Sequence, residues 1–162
     1  MNGAMLVPEF DVEMANTRRA LERIPEDRLD FKPHERSYSL LELAGHLSNL
    51  PQWTGLTLTT TEIDMDGPFE RDEPTTKEAI LAEFDANVAE ARPILEGMSA
   101  EEFMVPWSLK MRGEVAFTMP RIAVFRSFIM NHNIHHRGQL TVYLRLLDVP
   151  VPAIYGPSAD EQ

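Results

Sequence analysis

The sequence predicts an all-α protein: an antiparallel four-helix bundle, with room for a small hairpin before its last helix. Four stretches of the 162-residue chain carry apolar residues at alternating spacings of three and four, which is the period of a helix. Strand signals are nearly absent, and the chain has no internal repeat or domain-scale linker. A single domain over residues 1–162 is therefore expected.

The first helix is predicted over residues 8–24. The apolar positions of this stretch lie on one face of a helix: Phe10, Met14, Thr17, Leu21 and Ile24. Two prolines, Pro25 and Pro33, break the connector that follows. The chain is therefore expected to leave the first helix near residue 24 and to stay irregular until about residue 38.

A capping box marks the start of the second helix. In the stretch SLLE, Ser39 can accept a hydrogen bond from the backbone of Glu42, while Glu42 reaches back to the backbone of Ser39. This helix is expected to run from about residue 40 to Trp53, with a bend at Pro51. Residues 54–73 are rich in Thr, Asp, Gly and Pro, which predicts a loop.

A second box, formed by Thr75 and Glu78 in TTKE, predicts a third helix that ends near Glu96. Its inner face is expected to carry five residues: Leu81, Phe84, Val88, Ala91 and Leu95. Ser99 and Glu102 supply a third box for one short turn. The third helix is thus predicted to be the longest element of the first hundred residues.

Residues 107–117, WSLKMRGEVAF, alternate weakly about Arg112-Gly113. A small hairpin and an irregular segment remain open alternatives there. The fourth helix is predicted from Pro120, a favoured first helical residue, to about Leu147. The tail that follows has three prolines after residue 148 and is expected to be irregular.

Composition excludes several classes of function. The chain has no cysteine, so any metal must be held by nitrogen and oxygen, and a cysteine nucleophile is excluded. A net charge of −11 disfavours binding to nucleic acid. No apolar run is long enough to cross a membrane, and the first residues do not resemble a secretory signal. These features predict a cytoplasmic protein that acts on neither membranes nor nucleic acid.

Histidines interrupt the inner face of the fourth helix. The stripe of positions at helical spacing is Ile122, Phe125, Ile129, His132, His136, Leu140, Tyr143 and Leu147. His132 and His136 are separated by one turn, so their rings project from one face and can meet one cation. Burying two neighbouring imidazoles with no shared partner leaves polar nitrogens unsatisfied. For this pair a metal site and a hydrogen-bonded core pair remain open alternatives.

His46 occupies the same kind of position in the second helix, on a stripe with Leu43, Leu50 and Trp53. A lone inward histidine is more often a hydrogen-bonded core residue than a ligand. Three imidazoles on two helices would nevertheless match a catalytic zinc-type site, which has three protein ligands and an open position. His34 is expected in an exposed loop, and His135 lies about 100° from His136 around the helix, away from the stripe.

The runs ELAGHLSNLPQW and HNIHHRGQL, with FKPHERSYSL before them and YGPSADE after them, resemble the DinB-like (DinB/YfiT) superfamily over nearly the whole chain. The resemblance implies a four-helix bundle that forms homodimers and binds one divalent metal ion per chain, most often zinc or nickel. Carried over one residue at a time, the family's three metal ligands fall on His46, His132 and His136. These are the positions that the helical spacing places inside.

The resemblance also implies a function. Members with assigned roles transfer low-molecular-weight thiols or act as hydrolases, so a metal-dependent enzyme with a small-molecule substrate, such as a small thiol, is the leading hypothesis. The nearest acidic residue to His46 is Glu42, which the capping box already uses, so no general base is identified. The alternatives are a non-catalytic, stress-related metal-binding protein and a helical interaction module with buried histidines and no metal.

Overall fold

The computed structural model describes residues 2–67 and 73–162. Helix α1 spans Val7–Leu21, α2 Leu40–Asn49, α3 Gln52–Thr59, α4 Lys77–Gly97, α5 Ala100–Phe103, α6 Arg121–Val124 and α7 Asn131–Leu146. The strands are β1 Glu62–Asp64, β2 Pro106–Met111 and β3 Glu114–Pro120. Short 3-10 turns lie at Gly3–Met5 and Glu26–Arg28, and a π-helical segment, Phe125–Met130, joins α6 to α7.

The expected all-α class is wrong, because a three-stranded mixed sheet is part of the fold. Strand β2 lies in the middle, parallel to β1 and antiparallel to β3. The hairpin at Arg112-Gly113 is confirmed: both residues have positive φ, 55° and 77°, as the tightest hairpin turns require. Local alternation about Arg112-Gly113 suggests the β2–β3 hairpin, but it does not reveal β1, because β1 pairs with a partner more than forty residues away.

Helix α1 is close to its prediction. It ends at Leu21 rather than Ile24. All five residues of its predicted inner face are almost completely buried: Phe10, Met14, Thr17, Leu21 and Ile24. The face that periodicity identified is therefore the face that enters the core.

The predicted second helix is two helices. The capping box of Ser39 and Glu42 is confirmed, with both reciprocal hydrogen bonds present. Helix α2 ends before Leu50 and Pro51, and α3 then extends to Thr59. The predicted loop over 54–73 is therefore wrong for most of α3 and for β1; its residues 68–72 lie outside the described part of the chain.

Helix α4 begins one residue later than predicted. Thr76, rather than Thr75, is its N-cap and accepts a hydrogen bond from the backbone of Ala79. The box at Ser99 and Glu102 is confirmed at the start of α5. Pro93 lies inside α4, which continues past it to Gly97.

Four of the helices, α1, α2, α4 and α7, share the main apolar core. A smaller cluster, with Ile63, Trp107 and Val124 at its centre, lies between the sheet, α3 and α6. The largest side chains that are completely or almost completely buried come from both clusters, for example Phe10, Phe84 and Trp107. No helix within the described residues combines the length and apolar character needed to cross a bilayer.

Candidate metal centre

Two helices bring three histidines to one point. His46 lies on α2, and His132 and His136 lie one turn apart on α7. The Nε2 atom of His132 is 2.8 Å from Nε2 of His136 and 3.3 Å from Nε2 of His46. One nitrogen of each ring lies within 4.8 Å of those of the other two. The three rings are partly buried, and they meet as the sequence predicted.

Hydrogen bonds on the far side of two rings aim their Nε2 atoms at this point. Nδ1 of His132 donates to the Phe128 carbonyl at 3.2 Å. Nδ1 of His136 donates to Oε1 of Gln139 at 2.7 Å. A neutral imidazole that carries its proton on Nδ1 has a lone pair on Nε2. The Nε2 lone pairs of His132 and His136 therefore face each other.

Two lone pairs at 2.8 Å repel unless a positive charge lies between them. A proton could supply that charge to one pair only, whereas a cation could be shared by the three rings. In a tetrahedral site with metal–nitrogen bonds of about 2.0–2.1 Å, ligand nitrogens lie about 3.3 Å apart. The His46–His132 separation of 3.3 Å matches this value, the His132–His136 separation of 2.8 Å is shorter, and all three nitrogens lie within 4.8 Å of one another. The donor set therefore fits one small divalent ion.

Burial favours the neutral form of the His132 and His136 rings. It lowers the pKa of His132 and of His136 below the ordinary histidine value, and the hydrogen bonds to the Phe128 carbonyl and to Gln139 offset only part of this effect. Neutral imidazole is the form that binds metals. At neutral pH both rings are therefore ready to bind a cation without first losing a proton.

The π-helical segment lies immediately before the ligands. Its wider turn is marked by the backbone N–H of Asn131, which donates to the carbonyl of Arg126, five residues earlier. Such segments are rare and occur often at functional sites. Phe128 belongs to this segment, so the segment both holds the carbonyl that orients His132 and places an aromatic ring beside it.

Changing Gln139 to alanine is expected to lower metal affinity by about 10–100-fold, because residues that orient a ligand ring contribute this much. The matched control is Asn131→Ala. Asn131 is also exposed on α7, but neither His132 nor His136 uses it as a hydrogen-bond partner. Competition with a chromophoric zinc chelator measures both affinities. Equal affinities of the two variants would show that Gln139 does not orient His136.

An apolar cavity of about 210 Å³ opens beside two of the imidazoles. Its walls come from α2, α3, the turn after β1, the β2–β3 hairpin, and the helical stretch from α6 to α7. The lining residues are His46, Leu50, Trp53, Thr57, Met65, Trp107, Leu109, Phe117, Val124, Phe128, Ile129 and His132. Phe117 and Phe128 stack at 4.8 Å between ring centroids. The β2–β3 hairpin and the turn after β1 therefore supply part of the wall beside the candidate centre.

A polar cavity lies on another side of His46. It is lined by Tyr38, Leu41, Glu42, Gly45, His46, Glu73, Pro74 and Thr75. Glu42 is held by the capping box and by Lys32 at 3.4 Å, as its place in the sequence predicted. His46 therefore lies between the apolar cavity and this polar cavity, which is lined by the carboxylates of Glu42 and Glu73.

A buried ion pair lies next to the ligands and was not predicted. Arg137 follows His136 on α7, and its Nη2 lies 2.7 Å from Oε2 of Glu13 on α1. The hydroxyl of Tyr155 donates to the same carboxylate at 2.7 Å and accepts from Arg137 at 2.5 Å. Arg137 also donates to the Glu13 carbonyl at 3.0 Å. The pair joins α1, α7 and the C-terminal tail behind the candidate centre.

The remaining histidines do not join the cluster. His34 is exposed in the connector before α2. His135 is exposed on α7, with its ring centroid 4.9 Å from that of His136.

Similarity to one curated relative is confined to a short stretch. A stretch of 34 residues is 50% identical to the uncharacterized protein YrdA of Bacillus subtilis. The match covers 21% of this chain and 20% of YrdA, so the chain aligns with about a fifth of that relative's length.

Two solved structures resemble the whole fold. The DinB-like protein YjoA of Bacillus subtilis is 21% identical, with 98% of this chain and 99% of YjoA covered and a TM-score of 0.72. A DinB-like protein from Bacillus cereus is 19% identical, with 93% and 95% covered and a TM-score of 0.67. At these identities the likeness shows the fold. A sequence profile described as the DinB family matches residues 2–162, which confirms the resemblance seen in HNIHHRGQL and ELAGH; the chain belongs to the DinB family.

Proposed function

We propose that His46, His132 and His136 bind one divalent metal ion per chain, zinc or nickel, and that this ion is the reaction centre of an enzyme. The proposed reaction is of the thiol S-transferase or hydrolase type. The supporting observation is the convergence of three Nε2 atoms with two lone pairs opposed at 2.8 Å. That arrangement is unfavourable for neutral rings alone and favourable around a cation.

A divalent ion held by three neutral imidazoles keeps its full charge and lowers the pKa of a water or thiol placed in its open position. The protein's own residues orient the rings and keep bulk water away from one side of the centre. The Phe128 carbonyl and Gln139 hold the rings of His132 and His136 in one orientation. The apolar walls, including Trp107 and Phe117, exclude bulk water from one side of the centre and so strengthen electrostatic interactions there.

No side-chain base is part of this proposal. The cluster of possible metal-binding groups found among residues 2–67 and 73–162 contains three histidines and no carboxylate. Glu42 is engaged by Ser39 and Lys32. Activation of the nucleophile is therefore assigned to the metal, with the substrate's own proton leaving to solvent.

Two measurements on protein purified without a histidine tag test the proposal. Elemental analysis is expected to give about one divalent ion per chain, as three histidine ligands imply. A panel pairing small thiols with electrophiles, together with a panel of esters and amides, is expected to show turnover that disappears in His136→Ala. Circular dichroism checks that this variant stays folded.

A metal content near zero after metal-replete purification would overturn the metal site. Full metal content with no turnover of any thiol, ester or amide pair would overturn the enzymatic role. Activity that survives in folded His136→Ala protein would place the reaction elsewhere in the molecule.

A further inference from the structure

We propose that the apolar cavity beside the histidines binds an uncharged, apolar part of the substrate, about the size of one substituted aromatic ring, and that Thr57 hydrogen-bonds to an oxygen on it. The inference deepens the proposed function, and it rests on that function only for the place of the reacting atom. The cavity itself is defined by side chains that are present whether or not a metal is bound.

The first argument is the character of the walls. Apart from His46, His132 and Thr57, the lining side chains are aliphatic, aromatic or methionine. The indole N–H of Trp107 donates to Thr60 at 3.1 Å, so its polar atom already has a partner. A charged group placed away from the histidines would lose its hydration, and none of the lining side chains there carries an opposite charge to replace it. The cavity therefore selects an uncharged group and rejects the ionic ends of a small thiol.

The second argument is size. An apolar cavity of about 150 Å³ is large enough to hold benzene in a protein core. At about 210 Å³, this cavity can hold one ring with a short substituent, but not a fused polycyclic system. The stacked rings of Phe117 and Phe128, 4.8 Å apart, provide a flat surface of the kind that aromatic ligands pack against.

The third argument is an unpaired hydroxyl. Thr57 is completely buried, lines the cavity, and its Oγ1 has no hydrogen-bond partner among the described residues. A buried polar atom without a partner is destabilising, so a ligand that supplies the partner gains affinity from it. Within an otherwise apolar wall, such an atom gives a ligand one fixed polar contact and so sets its orientation.

The fourth argument is where the cavity leads. His46 and His132 line it, and Nε2 of both rings belongs to the point where the three histidines meet. A group bound between Thr57 and Phe117 therefore presents its other end to that point. The class of substrate inferred is an aromatic or branched aliphatic electrophile, ester or amide, with its apolar group in the cavity.

Both tryptophans of the chain, Trp53 and Trp107, line the cavity, so the protein's own fluorescence reports on it. Full-length protein, metal-loaded and chelator-treated, is titrated with benzyl alcohol, with toluene and with benzylammonium. Benzyl alcohol and toluene are expected to give saturable changes in emission. Benzylammonium, of similar shape but charged, is expected to bind at least about tenfold more weakly.

Thr57→Val tests the hydroxyl. It removes an unpaired buried hydroxyl in favour of an isosteric methyl, so it is expected to fold at least as well as the wild type. Its affinity for benzyl alcohol is expected to fall about tenfold, the value of one hydrogen bond, while toluene binding stays unchanged. The matched control is Thr54→Val, on the same helix: Thr54 is equally buried and unpaired but does not line the cavity.

The inference is overturned if benzyl alcohol produces no saturable change, if benzylammonium binds as well, or if Thr57→Val behaves like Thr54→Val. Because the titration is repeated without metal, its result is separate from the test of the metal site. Ring binding in a protein that takes up no metal would support the cavity and overturn the reaction centre. Metal binding without ring binding would support the metal site and overturn the proposed role of the cavity.

Discussion

Replacing Arg137 with leucine is expected to lower the free energy of unfolding by about 3–5 kcal/mol, the cost of breaking a buried ion pair by removing one partner. The side chains of Arg137 and Glu13 are 2% and 9% exposed. Leucine would leave the Glu13 carboxylate buried without its cationic partner, although the Tyr155 hydroxyl would still donate to it. It would also remove the arginine that donates to the backbone carbonyl of Glu13.

The chain contains a matched control for this effect. Arg126 pairs with Glu9, again between the last helical stretch and α1, but these side chains are 42% and 43% exposed. Exposed pairs contribute about 0–1 kcal/mol, so Arg126→Leu should change stability by less than that. Urea denaturation followed by circular dichroism measures both variants. A loss of equal size in the two would mean that the Arg137 pair is not buried in solution.

Replacing His46 with alanine is expected to weaken metal binding by more than about 100-fold, since the loss of residues that merely orient a ligand already costs up to that factor. His46 is the one ligand contributed by α2, and without it only two imidazoles on a single helix remain. The control is His135→Ala, which removes an exposed imidazole next to His136 and should leave the affinity unchanged.

The same substitution has a second expected effect. A metal bound by His46 and His132 links α2 to α7, so it stabilises the folded state of the wild type. At free metal 100 times the dissociation constant, the gain is about 2.7 kcal/mol. Thermal unfolding with and without added zinc should show this gain in the wild type and in His135→Ala, and its loss in His46→Ala. Equal gains in all three proteins would contradict a ligand role for His46.

The inward direction of each histidine was predictable because it depends on local spacing, whereas the meeting of His46 with His132, 86 positions away, was implied by the family resemblance. An i, i+4 pair on an apolar stripe determines which way the rings project, and His46 sits on a stripe of the same kind. The capping boxes at Ser39 and Ser99 were equally predictable, since each forms both bonds within four residues, whereas Thr76 rather than Thr75 caps α4. For these features the sequence neighbours are also the spatial neighbours.

The sheet and the cavity depend on distant partners. Ile63 in β1 pairs with Leu109 in β2, and nothing in the sequence of either strand predicts that it pairs with the other. The sequence around Arg137 gives no sign that this residue is buried, because its partner Glu13 lies far away in the chain, on the first helix. Thr57 falls in a stretch whose threonines suggested a loop, although it forms part of α3. Each of these positions depends on contacts between residues that are far apart in the sequence. Helical periodicity does not predict such contacts.

The π-helical turn at Phe125–Met130 determines how the cavity-wall residues before it are rotated about the helix axis relative to the imidazoles. Removing one residue there, such as Ser127, would let the chain close into ordinary turns and rotate everything upstream by about 100° relative to His132. Val124 and the hairpin before it would then face a different direction. A one-residue gap at this place in a relative would therefore mark a change in the shape of the molecule it accepts, even where every imidazole is retained.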